Sequence, residues 1–254
     1  MKVLICGKGG SGKSTIAVLI ANGLANYGNN ILLVDADESN LGLHRLMGIS
    51  NPIALMDNLG GKQGFKEKNA SAFPQQASAG IFGERIQINE IPRECIARAN
   101  GIKLLVIGKI HDFAEGCACM MGVLSKMVLS KLDIGNNDTV IIDTEAGVEH
   151  FGRKIDAECD IIFCVVDPSF ESFLLANKML AMAHQAGIEF FFILNKVEEN
   201  VEDVMMNHLD SEKVVAKIPK SQSVFLESLE GRALKTNLAE IEPVCRLITE
   251  FHAE

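Results

Sequence analysis

The chain has 254 residues with 48% apolar content, enough for a large core, and its 33 acidic against 24 basic residues leave a net charge of −9. That balance does not suit nonspecific nucleic-acid binding, which runs on clustered Lys and Arg. No apolar run reaches the length of a bilayer span and the first residues enter a strand without a signal-peptide layout, so the expected location is cytoplasmic, with neither nucleic acid nor membrane as partner.

The first predicted element is an apolar strand over residues 3–6. It runs into Gly7-Lys8-Gly9-Gly10-Ser11-Gly12-Lys13-Ser14, and a helical pattern follows from about residue 14 to 27. Strand, glycine-rich turn and helix in that order form a phosphate-binding loop. Glycines let backbone N–H groups converge on phosphate oxygens, several of them at positive φ. Lys13 supplies a point charge to the β- and γ-phosphates, and the Ser14 hydroxyl can sit on Mg²⁺. The helix start adds its dipole. Gly9, Gly10, Ser11, Gly12, Lys13, Ser14 and Thr15 are therefore the expected nucleotide-binding set.

A second apolar strand, 31–34, is followed by Asp35-Ala36-Asp37-Glu38. Residues 57–92, with Gly60-Gly61 and many small polar residues, read as an irregular excursion. A strand at 104–107 leads toward Gly116-Cys117-Ala118-Cys119, just ahead of a helical stretch ending at Lys131. The next strand, 140–142, ends at Asp143. Beyond it come a strand at 161–166, a helix at 170–186, a strand at 190–194 followed by Asn195-Lys196, and a helix at 201–209. A strand at 214–216 precedes Ile218-Pro219-Lys220, and a helix over 238–251 closes the order. Apolar strands alternating with helices predict an α/β fold: a mostly parallel twisted sheet with helices on both faces, in one domain over 1–254.

In such a sheet ligands sit at the carboxyl ends of the strands, which singles out the residues just past them. An aspartate there can hold Mg²⁺ through water, so Asp37 and Asp143 join Ser14 as magnesium candidates, Asp143 as the Walker B residue. The seven cysteines are odd in number and several lie in apolar runs, which argues for reduced thiols. Cys117 and Cys119 stand apart. Thiols at a helix start have lowered pKa values, yet one pair supplies two ligands where a tetrahedral site takes four. A two-fold dimer completes the set, and four thiolates can hold Zn²⁺, Ni²⁺ or an iron–sulfur cluster; two packed cysteines without a ligand are the plain alternative. His111, Met120, Met121, Glu149 and His150 lie near these motifs, the methionines reading as packing and His150 as a ligand, a latch or a packed residue.

The segment from Lys8 to Ser14 resembles the deviant Walker A loop of the family that holds nitrogenase iron protein, MinD, ParA and CooC. The resemblance implies a P-loop NTPase fold, ATP or ADP with Mg²⁺, and a homodimer in which Lys8 reaches the partner's nucleotide and stabilises charge there. It places Asp37 as the carboxylate that orients the attacking water, making Lys8, Lys13 and Asp37 the catalytic set. It also puts Asn195, Lys196 and Pro219 at the base, with adenine favoured because Glu198 stands where the guanine pattern has Asp. Glu115-Gly116-Cys117-Ala118 is similar to a cluster-cysteine segment of nitrogenase iron protein, whose second cysteine position is His150 here. Cys-x-Cys together with the run from Asp143 to Arg153 resembles the CooC-type nickel-insertion ATPases. That likeness implies a slow, switch-type ATPase and metallochaperone, with Ni²⁺ or Zn²⁺ shared between two Cys117/Cys119 pairs and a carbon monoxide dehydrogenase as client. An acetyl-CoA synthase client, an iron–sulfur scaffold or nitrogenase-like reductase, and a MinD- or ParA-type positioning switch are the alternatives. The last typically needs a basic membrane tip or DNA face, and the segment 240–254 is acidic.

Overall fold

A computed structural model describes residues 1–70, 83–110, 119–148 and 158–251, with 69, 70 and 119 described through their backbone alone. In chain order the elements are β1 (Lys2–Gly7), α1 (Lys13–Asn26), β2 (Asn30–Asp35), α2 (Leu43–Leu46), α3 (Leu55–Asn58), α4 (Gly61–Ala70), β3 (Ile86–Gln87), β4 (Ile96–Ala99) and β5 (Ile102–Val106). There follow α5 (Cys119–Lys131), β6 (Leu132–Asp133), β7 (Asp138–Asp143), β8 (Ile161–Val166), α6 (Phe170–Ala186), β9 (Glu189–Val197), α7 (Glu202–Asn207), β10 (Val214–Pro219), α8 (Gln222–Leu229) and α9 (Glu242–Phe251).

Eight strands form one sheet in the order β10-β9-β8-β1-β7-β2-β5-β4, parallel throughout except that β4 runs antiparallel to β5. Residues β3 and β6 make a separate two-residue parallel pair. The central strands are apolar at successive positions because both faces are covered. Val3, Ile5, Leu33 and Phe163 pack with Ile16 and Ile20 of α1 and Ile248 of α9. Leu4, Cys6, Leu32 and Ile162 pack with Leu124 and Val128 of α5 and Phe173 and Met179 of α6. Alternation with a period of two thus feeds two cores from one set of strands. Close packing is visible where α1 meets α9: a Cβ on Gly23 would lie 2.6 Å from Cys245 Sγ, so the helix accepts a residue that costs about 1 kcal/mol in propensity.

Besides short elements such as α2, α3 and β6, the structure differs from the sequence expectation at three larger places. The antiparallel β4–β5 hairpin turns on Asn100 (φ 51°) and Gly101 (φ 81°), the positive pair a type I′ turn demands. Helix α8 joins the predicted set. The pattern over 238–251 divides into a 3₁₀ turn at Ala239–Ile241 and then α9, whose second residue is Pro243. Proline lacks the N–H that would bond back into the preceding turn, so the α-helix begins there. In the irregular excursion, Leu59 and Phe65 pack into the core, while residues 71–82 lie outside the described set.

Register positions the site. Ile5 lies beside Asp143, and Asp143 beside Asp35, so β7 and β2 end level while β1 runs on to Gly7 and into the loop above them.

Candidate functional site

Between β1 and α1 the chain makes the glycine loop. Gly7, Gly10 and Gly12 hold φ values of 139°, 78° and 103°. A side chain at Gly7 would run into the Val165 carbonyl oxygen, and one at Gly12 into the Asn195 amide, so strand packing as well as φ demands glycine there. Gly12 precedes α1 in a left-handed conformation without a side-chain cap. That leaves the helix start open to an anion. Lys13 is buried, its Nζ donating to the Lys8 carbonyl at 3.4 Å, and the Ser11 N–H donates to the same oxygen at 3.1 Å.

Beneath the loop, Ser14 Oγ donates to Asp143 Oδ2 at 2.5 Å. Asn40 Nδ2 donates to both, at 2.8 Å to Ser14 Oγ and 3.3 Å to Asp143 Oδ2. Asp143 is fully buried, and that burial pushes its carboxyl up to about 6 against the opposing pull of the Ser14 hydrogen bond and the Lys13 charge. Its other oxygen, Oδ1, has no partner. An unpaired buried carboxylate oxygen beside a hydroxyl is the donor chemistry a hard divalent cation takes, so Ser14 and Asp143 fit Mg²⁺. Asp37 is also buried; its Oδ1 accepts from Ser39 N at 2.9 Å and Ser39 Oγ at 2.6 Å. Beyond Asp143 the chain returns to the loop, with Thr144 Oγ1 donating to the Ile5 carbonyl at 2.8 Å and Gly147 N to the Gly7 carbonyl at 3.3 Å.

Lys8 is partly exposed and pairs with Asp167 Oδ2 at 3.5 Å. Asp167 directly follows β8, the strand next to β1.

On the other side of α1 lies a cavity of about 510 Å³ walled by Thr15, Ile218, Pro219, Val224 and Phe225. Asn195 Nδ2 donates to the Ser11 carbonyl at 2.7 Å, and Lys196 Nζ to the Gly10 carbonyl at 2.6 Å. Both residues sit inside β9, which runs on to Val197, rather than just past it. Glu198 is engaged by Lys220 Nζ at 2.8 Å. The size and mixed lining suit a small planar group beside a phosphate loop.

Cys119 opens α5, its side chain outside the description; Cys117, His111, Glu149 and His150 lie outside the described residues altogether. Met121 is buried and Met120 packs against the same core, as expected of methionines on a helix. Cys6, Cys95, Cys159, Cys164 and Cys245 are buried outside any disulfide, and burial pushes the thiols of Cys95 and Cys245 up to about 11 and about 12. Among the described residues no group of three or more His, Cys, Asp or Glu side chains is placed to hold a metal, and no helix is long and apolar enough to cross a membrane.

The candidate residues thus fall into a phosphate cradle, a carboxylate floor and a base-sized cavity. Asn40, Lys109 and Asp167 belong to the same neighbourhood and were absent from the sequence expectation. Lys109 Nζ contacts Asp35 Oδ2 at 2.8 Å, and burial still lifts the Asp35 carboxyl to about 7 against that cation. Inspecting residues just beyond each strand, the rule that found Asp143, would have reached Lys109 and Asp167 as well.

The family model described as the CobQ/CobB/MinD/ParA nucleotide binding domain matches residues 2–234. An uncharacterized ATP-binding protein of Methanocaldococcus jannaschii is 40% identical over 250 residues, covering 98% of this chain and 100% of its own length. The carbon monoxide dehydrogenase accessory protein CooC of Rhodospirillum rubrum is 28% identical over 256 residues, covering 97% of this chain and 92% of that one. The solved structure of septum site-determining protein MinD with Mg-ADP from Pyrococcus horikoshii OT3 matches with a TM-score of 0.67 at 18% identity, covering 98% and 96% of the two chains. At that identity the likeness speaks for the fold, the mostly parallel P-loop NTPase sheet that the strand pattern predicts.

Proposed function

Because this chain belongs to the CobQ/CobB/MinD/ParA nucleotide-binding family, a family of ATP-binding and ATP-hydrolysing MinD/ParA-type NTPases, we propose that it is an ATP-driven dimer switch carrying a nickel ion for a carbon monoxide dehydrogenase-type enzyme. The observation that carries the ATPase half is the buried Ser14–Asp143 pair with its unpartnered oxygen under the glycine loop. Support for the nickel half is the likeness to CooC together with the sequence Cys117-Ala118-Cys119, of which Cys119 opens α5.

In this reading residues 1–254 act as one domain. Backbone N–H groups from Gly9 to Thr15 hold the phosphates, and Lys13 neutralises the β- and γ-oxygens. Ser14 and Asp143 hold Mg²⁺, which when bound offsets charge on the transferring phosphoryl group. Asp37 aims the attacking water through the oxygen that Ser39 leaves free. Lys8 exchanges Asp167 for the nucleotide of a second copy, so ATP draws two chains together face to face. The backbone after Asp143, bonded to both ends of the β1–loop junction, carries the nucleotide state away from the site. Asn195, Lys196 and Pro219 border the adenine. Two Cys117/Cys119 pairs meet at the two-fold axis and supply four thiolates to the metal cargo, nickel or zinc.

The test is Cys117→Ser with Cys119→Ser. The pair of substitutions is expected to lower nickel affinity by about a hundredfold or more in equilibrium dialysis while ADP affinity stays within about twofold. A double variant that still retains about one tightly held nickel per two chains would remove the cysteines from the account. A brown protein on anaerobic purification would instead favour an iron–sulfur cluster on the same residues.

A further inference from the structure

The strand end β5 and the loop bearing Asp37 are closed together by one buried cation. Ile107 N donates to the Asp35 carbonyl at 3.0 Å, continuing the β2–β5 ladder, and Ile110 N donates to the Glu38 carbonyl at 3.3 Å. Between these two bonds Lys109 Nζ reaches Asp35 Oδ2 at 2.8 Å and the Asp37 carbonyl at 2.5 Å. The Asp35 carboxylate in turn accepts from Asp37 N through Oδ1 at 3.3 Å. Asp37's two flanking peptide groups are therefore gripped by a single ion pair, its N–H by Asp35 and its C=O by Lys109. Lys109, Asp35 and Asp37 are 5%, 2% and 8% exposed, so the clamp works almost without solvent.

We propose that Lys109 is a positioning residue for ATP hydrolysis: its bonds to Asp35 and to the Asp37 carbonyl hold the Asp37 carboxylate in line with the attacking water. A buried ion pair is a poor way to gain stability, because desolvation offsets most of the attraction and an apolar pair of similar volume usually serves as well. What the pair supplies is direction. Each partner has one acceptor or donor left over for Asp37's backbone, and no apolar pair offers that. Loosening the peptide shifts a carboxylate whose aim determines the rate, and a displacement of about 1 Å costs up to about a hundredfold. In the proposed reading the ground-state contacts to the nucleotide come from the glycine loop between β1 and α1, whereas the bonds of Lys109 go to Asp35 and Asp37.

The inference rests on the reading of Asp37 as the water-orienting carboxylate, and the experiment separates the two. Lys109→Met and the neutral pair Asp35→Asn/Lys109→Met, which leaves no uncompensated charge, are compared with wild type for kcat, KM for MgATP and thermal unfolding. Each is also made in an Asp37→Ala background. The expected result is a fall in kcat of about 10- to 100-fold in both variants with KM within about threefold, recovery of most of the rate by Lys109→Arg, and no further loss when Lys109→Met is added to Asp37→Ala. A folded variant with kcat within about twofold of wild type, a KM that rises as far as kcat falls, or a loss that multiplies with Asp37→Ala would overturn the proposal. So would failure of both Met variants to fold, since the pair would then serve stability alone. An Asp37→Ala protein that hydrolyses ATP normally would instead sink the underlying reading of Asp37.

Discussion

Lys13→Ala is expected to abolish phosphate release and to weaken ATP binding by about tenfold or more, with little change in melting temperature. The side chain is buried, yet its recorded hydrogen bond is the 3.4 Å contact to the Lys8 carbonyl, too long to contribute much to the fold. Its charge acts elsewhere. It is among the groups that hold the Asp143 carboxyl down against burial, so its removal lifts that carboxyl further and weakens the Mg²⁺ site along with the phosphate site. Binding of a fluorescent ATP analogue, phosphate release and a thermal melt, each with and without Mg²⁺, read all three effects. Hydrolysis within about tenfold of wild type would contradict the placement of the phosphates against α1.

Asp143→Asn should make the nucleotide-free protein more stable at pH 8 and at the same time inactive. Burial raises the Asp143 carboxyl from 3.8 to about 6. The folded chain therefore holds this proton more tightly than the unfolded chain, and between about pH 4 and pH 6 it binds more protons. Stability from this group falls as pH rises through that window and stays low above it. A rise of that size corresponds to at most about 3 kcal/mol. Asparagine removes the buried charge while its carbonyl oxygen still accepts from Ser14 and Asn40. Net gains of about 1 kcal/mol raise the melting temperature of a chain this size by about 2–4 °C at pH 8, and the difference vanishes near pH 4. Asp35 is likewise raised, to about 7, chiefly by burial and in part by the Asp143 charge, so removing that charge also relieves Asp35 and adds to the gain at pH 8. The variant should gain nothing from Mg-nucleotide and lose hydrolysis by about a hundredfold or more. Destabilisation at every pH, or melting still raised by Mg-nucleotide as in wild type, would show that Asp143 is not the cation's ligand.

The loop from Gly7 to Ser14 was legible because its grammar is local: strand, glycines, lysine and helix lie within one short stretch. Asp37 and Asp143 stand out through a rule of position, the carboxyl ends of apolar strands, while the roles expected of Asp37 and Asn195 come from the family resemblance. Asn40 lies off that rule, and for Lys109 and Asp167, which the rule reaches, the partners follow from register. Lys109 meets Asp35 because β5 lies beside β2, and Asp167 meets Lys8 because β8 lies beside β1; neither neighbour can be told from the run of residues alone. The β4–β5 hairpin did have a local sign in Asn100-Gly101, but β4 is short and carries Arg98 in place of an apolar run. The start of α9 was displaced because a helical pattern of apolar residues continues across Pro243, whose missing N–H the pattern does not register.

Sedimentation velocity of the full chain, with nickel quantified in each boundary, puts the proposed switch to its most direct trial. With a non-hydrolysable MgATP analogue and Ni²⁺ the protein should sediment as a two-chain species holding about one nickel, and Lys8→Ala should stay a monomer while still binding nucleotide. A wild-type protein that remains a single chain with both ligands present would contradict the account.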